Sequence, residues 1–324
     1  MERLKEALSA AGIAYKENEP LSAHCTFRIG GPADVFILPE NEAQLCAAIK
    51  LAKEANVKYY LLGNGSNILF EDAGYRGVVV DTTALKMGIG FLENVSHPGA
   101  EPGAVYDAVI AGAGLKLSAL CKAALDSSLT GLEFAYGIPG TVGGAVYMNA
   151  GAYGACMADV LESVRVYKPA RQLDDGTRGS GNIIEFDVDE LNLGYRKSRI
   201  ADDGFIVLSA TFNLAPGNAA MIKADMDDYR QRREDKQPLD MPSAGSTFKR
   251  PEGYFAGKLI MDAGLRGHAV GGAQVSEKHC GFIVNADHAT AADVNELIRH
   301  IQTTVKDQFN VDLEPEVHRV GEFL

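Results

Sequence analysis

The 324-residue chain has no tryptophan, and its five cysteines, Cys25, Cys46, Cys121, Cys156 and Cys280, are scattered and odd in number. None stands at CxxC or zinc-ligand spacing, which argues against a zinc ribbon or a disulfide framework. Buried thiols in a reducing compartment are the simplest reading, and no metal site is expected. No stretch approaches the about 18 uninterrupted apolar residues of a membrane span. Residues 1–8 mix charges into apolar positions and lack the apolar core of a secretory signal, so a cytoplasmic protein without membrane insertion is expected. Positive charge is scarce: Lys+Arg number 31 against 43 Asp+Glu, a net charge of −12 that opposes broad contact with nucleic acid. A negatively charged ligand therefore needs a local basic pocket. GxxxxGK[ST] is absent, as is GxGxxG between a strand and a helix, so P-loop and Rossmann sites are disfavoured.

What is present fits an ordinary globular protein, 46% hydrophobic and 23% charged, long enough for two or three domains. After a short N-terminal helix, the apolar run Val35–Leu38 reads as a strand. Asn41 is an expected helix N-cap, with Gln44 at the capping-box position and Leu45, Ile49 and Ala52 on one face. Tyr59–Leu62 and Gly77–Asp81 read as further strands, Ser118–Ser127 as a helix, and Val164–Tyr167 and Phe205–Ser209 as strands. Residues 86–105 have weak periodicity and read as an irregular excursion, and Arg171–Gly181 reads as a polar surface loop. A charged helix spans about Ala219–Lys236 and stops at Pro238. The last helix starts at Thr290, with Asp293 in capping-box position and Val294, Leu297, Ile298, Ile301 and Val305 on one face. The main domain boundary falls near Ala215-Pro216-Gly217.

Two glycine loops stand out. Gly63-Asn64-Gly65-Ser66-Asn67 follows a strand, so its backbone N–H groups suit a diphosphate, although Asn-Gly is first of all a turn signal. Gly137-Ile138-Pro139-Gly140-Thr141-Val142-Gly143-Gly144 runs on to Asn149 and Gly151, small residues that allow close approach to a flat ligand or tight packing of turns. Three further segments carry chemistry. Gly194-Tyr195-Arg196 offers a guanidinium suited to bidentate carboxylate capture, Gly245-Ser246 a hydroxyl, and Leu313-Glu314-Pro315-Glu316 a carboxylate on an extended segment. Taken singly, these are more commonly an ordinary ion pair and a turn serine bonded to local backbone.

The ordered set Thr26-Phe27-Arg28-Ile29-Gly30-Gly31, Gly63–Asn67, Gly137–Gly140, Gly194–Arg196, Ala244–Ser246 and Leu313–Glu316 resembles the UDP-N-acetylenolpyruvoylglucosamine reductases over nearly the whole chain. The resemblance implies an α+β protein. Its two-subdomain FAD-binding fold, of the vanillyl-alcohol-oxidase (PCMH) type, would take residues 1–83 and 84–215. A substrate-binding α+β domain would take 216–310, and 311–324 would return to the active site. It implies reduction by NADPH of the enolpyruvyl group of UDP-N-acetylglucosamine enolpyruvate to UDP-N-acetylmuramate for peptidoglycan, and hence a role in cell shape and division. Hydride would come from FAD N5. Arg196, Ser246 and Glu316 match the catalytic set, Ser246 as proton donor. Gly63, Asn64, Gly65, Ser66, Asn67, Pro139, Gly140, Gly144, Asn149 and Gly151 would hold FAD, non-covalently because Ser66 stands where some relatives of this flavin fold carry the linking histidine. Tyr195, Arg233, Lys236, Lys249, Arg250 and His279 would contact the UDP-sugar, with Lys236 toward the diphosphate. A monomer is expected. The chain departs from the commonest pattern at Arg250, where some members have asparagine, and at His318, where arginine is usual. No tyrosine-bearing insertion separates Arg196 from Arg233, as in the family's shorter form.

Overall fold

A computed structural model describes residues 1–95, 106–170 and 181–323. Most of the expected polar loop at Arg171–Gly181 lies outside the described residues, as does the end of the excursion at 86–105. The chain divides into two compact units. The first comprises Met1–Tyr15, Ile37–Gly63 and Val80–Gln231, and the second Lys16–Phe36, Asn64–Val79 and Arg232–Leu324. Strands Ala14–Pro20, Pro32–Leu38, Tyr75–Asp81 and Tyr59–Leu62 form a four-stranded sheet in that order.

The first unit holds helices α1 (Glu2–Ala10) and α2 (Glu42–Glu54). The cap of α2 differs slightly from expectation: Asn41 accepts the Gln44 N–H, but Gln44 Oε1 takes the N–H of Glu40, one residue further back. Its main sheet runs Asn182–Asp187, Leu161–Lys168, Ile206–Pro216, Tyr106–Gly112, Ile89–Val95, each antiparallel to the next. Residues 89–95 are thus a strand and not the irregular segment their weak periodicity predicts. They form the sheet's edge, where Phe91 and Leu92 stay exposed and no clean in–out alternation is imposed. The opposite expectation holds for Leu161–Lys168, where Val164 and Val166 face inward. With Phe212 and Val109 they meet Leu117, Leu120 and Ala124 of α3 (Leu117–Asp126) in a continuous core. Each of these Val, Leu and Phe side chains contributes about 1.5–3 kcal/mol by leaving water. Cys121 lies in this core, and burial pushes its thiol up to about 12, which makes it inert.

The glycine-rich stretch after Pro139 is not all loop. Thr141 accepts the Gly144 N–H and caps a short helix, α4 (Val142–Tyr147). A Cβ on Gly143 would stand 2.9 Å from that of Ala113, so glycine lets α4 lie against the end of the sheet. Past α5 (Arg199–Asp203), α6 (Ala219–Lys236) runs over the range its charge pattern predicts.

The second unit contains α7 (Ala256–Asp262), α8 (Ala291–Phe309) and a sheet ordered Ser243–Ser246, Phe282–Asn285, Ala273–Val275, Ala269–Val270. The capping box at Thr290 and Asp293 is present, and the five apolar residues expected on one face of α8 are buried. Both carboxylate oxygens of Asp72 also accept N–H groups at the start of α8, from Ala291 and Ala292. After α8 the chain returns as strand His318–Val320, parallel to Ile68–Phe70.

Candidate active site

Ser246 ends the strand Ser243–Ser246, which is bulged: Ser243 pairs with Val284 and Ser246 with Phe282. Gly245 supplies the bulge with φ +78° and has nothing within 4 Å of where a Cβ would stand, so conformation and not space requires glycine there. The following residues, Thr247 and Phe248, are buried, while Ser246 is exposed. Among the described residues its hydroxyl makes no hydrogen bond, so it is not the locally bonded turn serine that the isolated sequence allows.

Glu316 lies beside it along the backbone. Its N–H donates to the Thr247 carbonyl at 2.8 Å, Lys249 N–H donates to the Glu314 carbonyl at 2.9 Å, and Pro315 bridges Phe248. These bonds bring Ser246 and Glu316 together although they lie 70 positions apart in sequence. Asn67 holds the other side: its amide donates to the Glu316 carbonyl at 3.1 Å and its carbonyl accepts the His318 N–H at 3.0 Å.

The neighbouring cations are already engaged within this unit. Lys249 Nζ pairs with Glu314 at 2.6 Å. The Arg250 guanidinium lies 4.0 Å from the centroid of the exposed Phe255 ring, and its Nε donates to the Tyr254 carbonyl. His279 Nδ1 accepts the Gly281 N–H at 3.1 Å, and burial holds its pKa below the ordinary value. His318 is lowered as well, first by burial of part of its ring and then by the Lys249 charge, although the residue keeps an exposed edge. An arginine at this position would have stayed charged. Arg233 is 8% exposed whereas Lys236 is exposed, so the two do not share an environment on α6.

The glycine loops admit no side chains at several points. Gly65 has φ +62°, and a Cβ there would stand 2.2 Å from the His24 carbonyl oxygen. Its own carbonyl accepts the Thr26 N–H, and the Thr26 hydroxyl donates to the Ser243 carbonyl at 2.6 Å. In the first unit, a Cβ on Gly63 would stand 2.7 Å from Thr141 Oγ1, so the two loops touch through the residue that caps α4. Gly144 and Pro139 are exposed. Gly151 pairs with Cys156 in a small hairpin and would meet the Ala155 carbonyl at 2.6 Å if it carried a Cβ.

Arg196 belongs to the first unit. Gly194 and Lys197 exchange two backbone hydrogen bonds and close a turn with Tyr195 and Arg196 at its tip. Tyr195 is 58% exposed, and the Arg196 guanidinium carbon lies 5.0 Å from its ring centroid. The Asn149 amide donates to the Gly194 carbonyl at 3.0 Å. Sequence reading placed Asn149 among the cofactor residues and had no signal for this bond, whose partner is 45 residues away. It also missed Tyr153, whose ring stacks on Tyr229 of α6 at 4.4 Å and whose hydroxyl donates to the Tyr229 carbonyl.

Residues 33–171 match the family described as "FAD binding domain", and 237–320 match "UDP-N-acetylenolpyruvoylglucosamine reductase, C-terminal domain". The chain is therefore an FAD-binding oxidoreductase of α+β fold. The UDP-N-acetylenolpyruvoylglucosamine reductase of Clostridium perfringens strain SM101 is 47% identical over 99% of both chains, and that of Agathobacter rectalis is 50% identical over 96% of this chain and 95% of its own. The crystal structure of the Thermus caldophilus enzyme superposes with a TM-score of 0.71 at 32% identity, covering 95% of this chain and 99% of that one. The chain belongs to the UDP-N-acetylenolpyruvoylglucosamine reductase family. Gly63 and Gly65 have no room for a side chain because Thr141 Oγ1 and the His24 carbonyl stand where a Cβ would be. Among the described residues no His, Cys, Asp and Glu cluster suits a metal ion, and no helix is long and apolar enough to cross a membrane.

Proposed function

We propose that this enzyme uses NADPH to reduce the enolpyruvyl group of UDP-N-acetylglucosamine enolpyruvate, forming UDP-N-acetylmuramate in the cytoplasm as a monomer. The observation that carries the reading is the unbonded, exposed Ser246 hydroxyl, presented by a glycine bulge beside the anchored backbone of Glu316. FAD, when bound, supplies the hydride that adds to the terminal enolpyruvyl carbon. The chain's own residues manage the charge that this addition leaves on the adjacent carbon and carboxylate. Arg196 takes the carboxylate in a bidentate pair, which a planar guanidinium suits better than a point charge. Ser246 gives its proton to the adjacent carbon, which is basic enough to deprotonate a hydroxyl held in hydrogen-bond reach, and solvent at this exposed position restores it. Glu316 orders the developing enolate.

In this reading Gly63, Asn64, Gly65, Ser66, Asn67, Pro139, Gly140, Gly144 and Gly151, with the backbone at Asn149, hold FAD without a covalent link. Tyr195, Arg233, Lys236, Lys249, Arg250 and His279 contact the UDP-sugar. Residues 1–83 and 84–215 serve the flavin, 216–310 the substrate, and 311–324 return to the active site. The support is the family membership, together with Arg196, Ser246 and Glu316 standing in the motifs that carry the resemblance.

The test is anaerobic stopped flow on Ser246→Ala. NADPH reduces the flavin at the parent rate, and reoxidation by UDP-N-acetylglucosamine enolpyruvate slows about 10²-fold or more. Unchanged reoxidation rejects Ser246 as proton donor, and a flavin that NADPH does not reduce rejects the electron source.

A further inference from the structure

Arg196 stands at φ +56°, a left-handed conformation that disfavours residues with a Cβ by roughly 1–2 kcal/mol. Something outside the turn has to hold it, and both of its ends are tied to the C-terminal end of α4. On one side the Gly194 carbonyl accepts from Asn149 Nδ2 at 3.0 Å in addition to the Lys197 N–H. On the other, Ser198 is fully buried, donates its hydroxyl to the Tyr147 carbonyl at 2.6 Å and caps α5 through the Ala201 N–H. Tyr147 and Asn149 are two positions apart, so one short piece of backbone grips the turn at two points.

Asn149 is itself held. It is 6% exposed, sits at φ +43°, a conformation asparagine tolerates, and its Oδ1 accepts the Ala158 N–H at 3.0 Å. With one amide hydrogen on Gly194 and the carbonyl oxygen on Ala158, this side chain joins two backbone segments of its own unit. The helix it follows, α4, is capped by Thr141, directly after Gly140, and carries Gly143 and Gly144 of the second loop in its first turn. α4 therefore has the glycine loop at one end and the arginine turn at the other.

We propose that Asn149 is the positioning residue of Arg196, acting on the reaction through the arginine turn; this rests on the reading of Arg196 as the carboxylate-binding group. Losing a buried hydrogen bond to Gly194 frees the turn, and the effect on the step that needs Arg196 is roughly tenfold. Asn149→Asp is the discriminating variant. It tolerates the same φ and keeps the acceptor for Ala158, but it replaces the donor facing the Gly194 carbonyl with an oxygen. Asn149→Gly removes both bonds without backbone strain and serves as the second variant.

Flavin content, flavin reduction by NADPH, and reoxidation by UDP-N-acetylglucosamine enolpyruvate are measured for each variant, alone and combined with Arg196→Lys. The expected result is reoxidation per bound flavin slowed roughly tenfold, and no further slowing when either Asn149 variant is added to Arg196→Lys. Multiplicative effects in the double variants, or parent-like reoxidation per bound flavin while Arg196→Lys is slow, each overturns the proposal. If Arg196→Lys itself reoxidises at the parent rate, the assignment of Arg196 falls first and the proposal falls with it.

Discussion

The Asn67 side-chain amide donates to the main-chain carbonyl of Glu316 at 3.1 Å, so a residue of the first glycine loop holds the returning tail in place. The adjacent bond, His318 N–H to the Asn67 carbonyl, makes the contact a two-point clamp. Replacing Asn67 by Ala removes one of the two and leaves a half-buried carbonyl without its donor. The expected loss of stability is about 1–2 kcal/mol, read from urea unfolding, together with slower substrate reduction as Glu316 loses its anchor. Parent-like unfolding would show that the tail is held by strand pairing alone.

Gly65 and Gly245 both have positive φ, but they differ in the space around them. Gly65→Ala drives a Cβ into the His24 carbonyl and adds left-handed strain, so a loss above about 2 kcal/mol is expected. Gly245→Ala meets no atom and loses only about 1–2 kcal/mol. Because Gly245 sets the bulge before Ser246, its variant should nevertheless slow substrate reduction more than its stability loss explains. Thermal melting and stopped-flow reoxidation of the two variants give the comparison.

Glu314 and Glu316 flank the same proline and differ in exposure, Glu316 being half-buried. Glu314 is exposed and pairs with Lys249 at the surface, an interaction worth under about 1 kcal/mol. Glu314→Gln is expected to change turnover by less than about twofold, within the reach of such a weak pair. Glu316→Gln is expected to lower it by at least about tenfold, as for a group acting in the transition state. Equal effects from the two would remove the distinction that the motif alignment draws.

Acidification should weaken the fold through His279. Burial lowers its pKa below the usual 6.5, so protonation is less favourable in the folded than in the unfolded chain. Stability is therefore complete above pH of about 6.5 and declines as pH falls through the folded value, because a charged ring at Nδ1 no longer accepts the Gly281 N–H. The melting temperature of the parent should drop between pH 7 and 5, and His279→Gln should flatten part of that slope. A slope unchanged by the substitution would assign the acid sensitivity elsewhere.

The two long helices α6 and α8 were legible because their signals are local. The Thr290–Asp293 box and the apolar face of α8, and the proline that follows α6, each lie within a few residues of what they control. The edge strand Ile89–Val95 was not legible, since an edge leaves Phe91 and Leu92 in solvent and blurs the alternation. Nor was α4, whose two glycines mask a helix made possible by the Thr141 cap and by close packing on Ala113.

The sequence by itself determined the family, through six short motifs in a set order, and named Ser246, Arg196 and Glu316 as the reactive candidates. Only the tertiary structure decided what holds them. The Ser246 hydroxyl stands exposed at the end of a bulged strand and makes no bond among the described residues, Glu316 is fixed through Thr247 and Asn67, and the arginine turn hangs from Asn149 and Ser198. Apart from the bulge these are hydrogen bonds across tens to hundreds of positions, backbone to backbone at Thr247 and between side chain and backbone at the others. They depend on where the chain returns to itself, which no local pattern of residues encodes.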